Sequence, residues 1–253
     1  MPVVLIEKQS PQITVITLNR PERRNALTIE LMTELTAAIE NAGADPKQRI
    51  LILRGAGKAF CTGLDLEEAA KAEPQVTAET VARTLLTLAD TRLVTIATVH
   101  GAAVAGGAGI MSACDFVIAA ERTKIGYPEV RRGLVAGLVM TFLRRQLRER
   151  DLREVLLASE LFEAERAFEI GLVNRVVPAG ELESETQKIV ASVLQGAPGA
   201  ITNSKRLMEE LWSTSFKQDI DRALRHHLEA RESAEAKEGI AAFNEKRAPK
   251  WVG

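Results

Sequence analysis

Apolar positions along the chain follow two periods, and the change from one to the other marks out its elements. Near the start, VVLIEK and ITVITL are rich in β-branched residues and are separated by Ser10-Pro11-Gln12, which predicts a pair of strands. From Leu27 the period changes. Leu27, Leu31, Leu35 and Ile39 recur every fourth residue with Glu30, Glu34 and Glu40 on other faces, which predicts an amphipathic helix ending near Gly43. RILILRG then reads as a short buried strand, followed by a helix starting near Asp65 and another over AETVARTLLTLADT. The strand TIATVH, the turn GAAVAGGAG, a short helix near IMSAC and the strand DFVIAA complete this half. Strands alternating with helices predict a mostly parallel sheet with crossover connections.

Beyond Pro128 the pattern is different. From about Gly137 to Ala248 it is mostly helical, interrupted by the short strand LVNRVVP at 172–178. The segment LRHHLEARESAEAKEGIAAFNEKR is highly charged but carries Leu224, Leu228, Ile240 and Phe243, a single apolar stripe with no sustained heptad. The chain therefore divides into a core over 1–195 and a C-terminal helical region over 196–253.

Charge and cysteine usage remove whole classes of partner. With 33 Lys and Arg against 34 Asp and Glu, a net charge of -1 gives no nucleic-acid groove and no anionic membrane surface as the main partner. No apolar run approaches the ~20 residues that cross a bilayer. Two cysteines, Cys61 and Cys114, and no charged-then-apolar leader point to a reducing, cytoplasmic setting.

Candidate chemistry is narrowed mostly by what is missing. His226 and His227 are adjacent and so lie on different helix faces, while His100 stands alone after a strand and reads as structural. No metal site and no resident cofactor are expected. There is no G-x-S-x-G elbow and no phosphate-binding G-x-x-x-x-G-K, and the glycine cluster does not match G-x-G-x-x-G. Backbone chemistry remains. CTGLD after RILILRG and VAGGAG after TIATVH are glycine-containing strand-to-helix turns, each able to aim free peptide N–H groups at one spot. Two such donors form an oxyanion hole, each worth ~2.7 to 4 kcal/mol to an anionic transition state. The plainer alternative is close packing of a glycine-rich helix start on the sheet.

Five segments in order, NRPERRNAL, AFCTGLDL, VHGAAVAGGAGIMSACDFVIAA, GYPEVRRGLV and EGIAAFNEKRAPKW, resemble those of the enoyl-CoA hydratase/isomerase (crotonase) family. The resemblance implies an α/β fold with a ββα spiral core, a helical C-terminal region used in trimerisation, and an acyl-CoA ligand. It implies oxyanion donors at the N–H groups of Leu64 and Gly106, and CoA contacts at Arg23, Arg24, Ala26, Gly63, Asp65 and Leu66. Phe243 and Lys246 match positions that meet the adenine and 3′-phosphate of CoA bound by a neighbouring subunit, which implies a homotrimer or dimer of trimers. A solvated surface lysine is the alternative for Lys246.

One departure bears on the reaction. The resemblance implies two acids: typical hydratases of the family place one glutamate three residues after the glycine turn and a second in the P-E-[IV] segment. Here the first position is Gly109 and the second is Glu129. Hydration uses both carboxylates, whereas one base beside an oxyanion hole suits moving a C2 proton elsewhere, which isomerises an enoyl-CoA. EVRRGLV also resembles the branch that hydrates methylglutaconyl-CoA, where glycine stands at the first acid position too. Hydration or dehydration therefore stays open, as does acyl-CoA binding with little or different catalysis, such as decarboxylation or thioester hydrolysis. Arg131 and Arg132 either meet a second carboxylate on a substrate or form a solvated rim.

Overall fold

The computed structural model describes residues 2–251. β1 (Val4–Ser10) and β2 (Ile13–Leu18) pair antiparallel with Val4 opposite Leu18, as the two β-branched runs require. α1 (Ile29–Ala44) follows, then β3 (Ile50–Gly55), the single-turn α2 (Leu66–Ala69), α3 (Pro74–Asp90) and β4 (Val94–Val99). Next come β5 (Ala102–Val104), α4 (Gly106–Ser112), β6 (Phe116–Ala120) and β7 (Lys124–Gly126). The remainder comprises α5 (Gly137–Gln146), α6 (Glu149–Arg153), β8 (Phe162–Glu163), α7 (Ala164–Glu169), β9 (Arg175–Val177), α8 (Leu182–Gln195), α9 (Pro198–Glu210), α10 (Phe216–Glu232) and α11 (Ala234–Asn244).

The main sheet has the order β1-β2-β3-β4-β6-β9 and is parallel from β2 onward. Its inner strands β2, β3, β4 and β6 are mostly apolar on both faces because both are covered, whereas the edge strand β1 is largely exposed. Ile13, Val15, Ile50, Ile52, Val94, Ile96 and Ile118 face α8, whose Ile189 and Val190 cover them. Leu18, Leu51, Leu53, Ala97 and Val99 face the other way, onto a core that includes Leu31, Leu35 and Ile39 of α1 and Leu85 and Leu88 of α3.

Three local expectations are corrected. Leu27 lies outside α1, which starts at Ile29 and is capped by Thr28, whose Oγ1 accepts from Leu31 N at 3.1 Å. The side-chain cap stops the helix while the apolar spacing of four runs on past it. The stretch 101–109 is not only a turn: it holds β5, and α4 begins at Gly106 rather than near Ile110. β5 belongs to a second, three-stranded sheet of order β5-β7-β8, whose strands of two or three residues are too short to print a period in the sequence.

The C-terminal helices fold back on their own chain. α10 packs on α3 and α5, and α11 packs on the turn Glu129–Arg132. Among the described residues no helix is long and apolar enough to cross a membrane.

Candidate active site

Two loops reach the same spot because backbone pairing ties them together. Asn25 is fully buried in a left-handed conformation, φ 54, which asparagine tolerates. Its Nδ2 donates to Ala56 O at 2.9 Å and Ala59 O at 2.8 Å, and its Oδ1 accepts from Arg20 N at 2.8 Å. The turn NRPERRN is thereby bound to the loop after β3. Leu27 then pairs with that loop, its N–H donating to Gly63 O at 2.8 Å and its carbonyl accepting from Asp65 N at 2.9 Å. In such a bridge the residue between the partners, Leu64, turns its own N–H to the opposite side.

The second loop is drawn in by Cys61, whose N–H donates to Ala102 O at 3.1 Å and whose carbonyl accepts from Val104 N at 3.0 Å. Gly106 is the first residue of α4, so its N–H has no partner within the helix. Among the described residues neither Leu64 N nor Gly106 N donates to a protein acceptor. The two peptides lie side by side: a Cβ on Gly63, where φ is +86, would stand 3.3 Å from Gly106 N. At Gly107 a Cβ would stand 2.3 Å from Cys61 O, so the close approach demands glycine there.

These N–H groups open on a cavity of about 700 Å³. Leu64, Gly106 and Glu129 line it, as do Arg23, Arg24, Ala26, Asp65 and Leu66 from the first two turns and Phe243 and Lys246 from the C-terminal end. Gly63 does not line it, and stands behind it against Val104 O. Phe243 and Lys246 thus line the cavity of their own chain.

The charges around the cavity are sorted by pairing. Asp65, 6 % exposed, caps α2 and pairs with Arg20 at 3.1 Å and Arg23 at 3.4 Å. Burial pushes its pKa up, but the bonds from Arg20 and the Glu68 N–H outweigh this and hold it below the ordinary carboxylate value. Asp65 therefore orders the turn and Arg23, and is no free acid. Arg24 and Lys246, both at positive φ, make no ion pair among the described residues and remain available to an anion.

Glu129 is carried in by the small sheet. β5 and β7 pair in parallel with Val104 opposite Gly126, and Ala105 N donates to Gly126 O at 2.8 Å. The buried Tyr127 hydroxyl bonds Ser112 Oγ at 2.8 Å, and a 3₁₀ turn over Glu129–Arg132 follows. Glu129 Oε2 is buried with no hydrogen-bond partner. Burial pushes its carboxyl up to about 7, although its own backbone N–H and the charge of Arg132 pull the other way. Near neutral pH it can both take and give a proton.

Gly109 offers no room for a second acid. A Cβ there would stand 2.3 Å from Val139 Cγ1 and 3.8 Å from Leu85 Cδ2, so aliphatic side chains fill the space. Of the other three carboxylates lining the cavity, Asp65 and Glu67 are both paired with Arg23, and Glu22 is exposed. The Cys61 thiol is buried, and desolvation pushes it up to about 12, so it is no thiolate nucleophile.

Sequence reasoning did not single out His227 or Val139. His227 lines the cavity with Nδ1 3.4 Å from Val135 O, and burial lowers its pKa, keeping it neutral. Its position three residues after Leu224, on the apolar stripe, was the signal that separates it from His226. The arginine pair resolves as well: Arg131 is exposed and donates to Ala158 O at 3.1 Å, while Arg132 lines the cavity. His100 lies outside the cavity, its Nε2 2.9 Å from Gly57 O.

Backbone strain is stored next to the donors. Ala105 has φ 50 and ψ -125, a conformation that suits glycine. Ala105→Gly is expected to raise stability by about 1 kcal/mol, strain relief outweighing the added freedom of the unfolded chain. A higher urea midpoint with an unchanged m-value is the result to look for.

Comparison with known proteins shows the family and the fold. The sequence model described as enoyl-CoA hydratase/isomerase matches residues 8–253. A crotonyl-CoA hydratase of Syntrophomonas wolfei is 31% identical, the match covering 98% of this chain and 97% of that protein. A mevalonyl-coenzyme A hydratase of Aspergillus fumigatus is 31% identical, over 98% of this chain and 94% of that one. The crystal structure of a carnitinyl-CoA hydratase from Mycobacterium avium superposes with a TM-score of 0.89 at 32% identity, covering 100% of this chain and 99% of that one.

Proposed function

Because the chain belongs to the enoyl-CoA hydratase/isomerase family, we propose that it shifts the double bond of an enoyl-CoA, with Glu129 as the single base and the N–H groups of Leu64 and Gly106 as the oxyanion hole. The observation that carries this reading is one cavity lined by a carboxylate whose Oε2 is buried without a partner and by two residues with unpartnered peptide donors, where the place of a second acid is filled by Val139. The thioester oxygen of a 3-enoyl-CoA accepts from both donors. Glu129 takes a proton from C2, the electron pair moves onto that oxygen as a dienolate, and the same carboxyl returns the proton at C4. The double bond then lies between C2 and C3, and no water or other reactant is consumed. Two donors contribute at ~2.7 to 4 kcal/mol each, a large share of such a barrier.

Arg24 and Lys246 are assigned to the phosphates of CoA and Phe243 to its adenine, with Arg23, Ala26, Asp65 and Leu66 shaping the wall they share. CoA enters as part of the substrate, and no resident cofactor is assigned. Hydration of a 2-enoyl-CoA is the second reading, favoured by the names of the relatives. Mass-spectrometric product analysis in ¹⁸O-water separates the two. A 3-enoyl-CoA converted without label supports isomerisation, and label in the product of a 2-enoyl-CoA overturns it.

Because Glu129 must be ionised to act and its pKa is raised, kcat/KM is expected to rise about tenfold per pH unit below about 7 and to level off above it. A profile already flat at pH 5 would contradict its role as base. We also take the chain to be a homotrimer or dimer of trimers. In support, no residue of α9 is buried, and Leu207, Met208, Leu211 and Trp212 are exposed at its end. The mass in solution tests this.

A further inference from the structure

In a 3₁₀ turn residues i and i+3 lie over one another, so the turn Glu129–Arg132 sets its first and last side chains on one side, and both line the cavity. They nevertheless do not pair. Glu129 Oε2 and Arg132 Nε are each buried without a hydrogen-bond partner, and Arg132 Nη1 reaches only Pro128 O, at 3.4 Å. An arginine beside a carboxylate in a water-poor cavity ordinarily closes on it. Here the guanidinium is engaged elsewhere, over the Phe243 ring with Cζ 4.5 Å from the centroid.

α11 enforces this placement. A Cβ on its Gly239 would stand 2.4 Å from Arg132 O, and one on Gly133, where φ is +66, would stand 2.5 Å from Glu235 O. Turn and helix are therefore in backbone contact on both sides of Arg132. We infer that Arg132 is a positioning residue for Glu129: through Phe243, α11 holds a positive charge over the carboxylate without letting the two pair. The inference rests on the base role proposed above.

Arg24, Lys246 and His227 line the same cavity, but Arg132 is the one whose charge pulls the Glu129 carboxyl down, and burial lowers the pKa of His227. Tyr127 is buried on Ser112 with its pKa pushed well above the ordinary phenol value, so it stays neutral. From α11, Phe243 carries no charge, Glu235 meets the turn through its backbone, and Glu238 and Glu245 are paired with Arg247. A carboxylate buried with no cation would keep its proton to higher pH. One fully paired would be too weak a base.

The test is the pH profile of kcat/KM on a 3-enoyl-CoA for three variants, each normalised to its own plateau. Arg132→Gln removes the charge, and activity at pH 6 is expected to fall about threefold to tenfold below that of the wild type. Arg132→Lys keeps the charge and restores most of that loss. Phe243→Ala releases the guanidinium toward Glu129, and the midpoint moves the opposite way, to lower pH. An unchanged midpoint in Arg132→Gln, no rescue by lysine, or an upward move in Phe243→Ala each overturns the inference. Carbon-detected NMR titration of the Glu129 carboxyl, assigned by its loss in Glu129→Gln, reads the same midpoints without turnover. Inactivity on every thioester with the NMR midpoints moving as stated would sink the proposed function and leave the inference standing.

Discussion

Glu129→Gln is expected to lower kcat for the double-bond shift by about 10²- to 10⁴-fold while making the protein more stable above pH 7. The two effects share one cause. The amide keeps the shape of the side chain but cannot take the C2 proton, and it carries no charge to desolvate. Because the pKa of Glu129 is about 7 in the fold and the ordinary value is 4.5, the folded state binds the proton more tightly than the unfolded chain does. Its contribution to stability is thus fully present below the unfolded pKa and is lost as pH rises through the folded pKa. At pH 8 the wild type lacks about 2 to 3 kcal/mol that the glutamine variant retains, and at pH 4 the two unfold alike. Urea titrations at both pH values check this, together with substrate KM, which should change little if Glu129 acts mainly in the transition state. Equal stability at pH 8 would show that the carboxyl is not buried as described.

Gly109→Glu is the second large effect, and its sign depends on Val139. Alone, the substitution drives a Cβ to within 2.3 Å of Val139 Cγ1, and the β-branched valine has few rotamers in a helix with which to yield. A loss of about 1 to 3 kcal/mol is expected from overpacking. Combined with Val139→Ala the new side chain gains the space it needs and a second carboxylate enters the cavity. The double variant is expected to add water to a 2-enoyl-CoA about 10²-fold faster than Val139→Ala alone, a typical gain for one positioned general base. ¹⁸O incorporation measures it. If the wild type hydrates as fast as the double variant, the single-carboxylate mechanism is wrong.

Much of the site could be read from residues near one another in sequence. The turns CTGLD and VAGGAG stand out because glycine-containing turns between strand and helix leave peptide donors without partners, a local property of the backbone, while the resemblance to the family is what names Leu64 and Gly106 within them. Glu129 follows from its matched segment. By contrast, nothing in the doublet Arg131-Arg132 says which member faces the cavity. Packing of the turn against α11 decides that. The three-residue strands β5 and β7, which carry Glu129 to the donors, were hidden for another reason: three residues do not establish a period.

The sequence by itself determined the alternation of strands and helices, the crowding of small residues around Gly106, and the presence of a glycine at 109 together with a glutamate at 129. Each is written in spacing or residue type, because burial on a strand or helix face repeats with the backbone period. Only the tertiary structure decided that Val139 fills the space beside Gly109, that Phe243 and Lys246 line the cavity of their own chain, and that Arg132 is held off Glu129. Those are facts about which distant side chains share a volume, and close packing settles them only once the whole chain is folded.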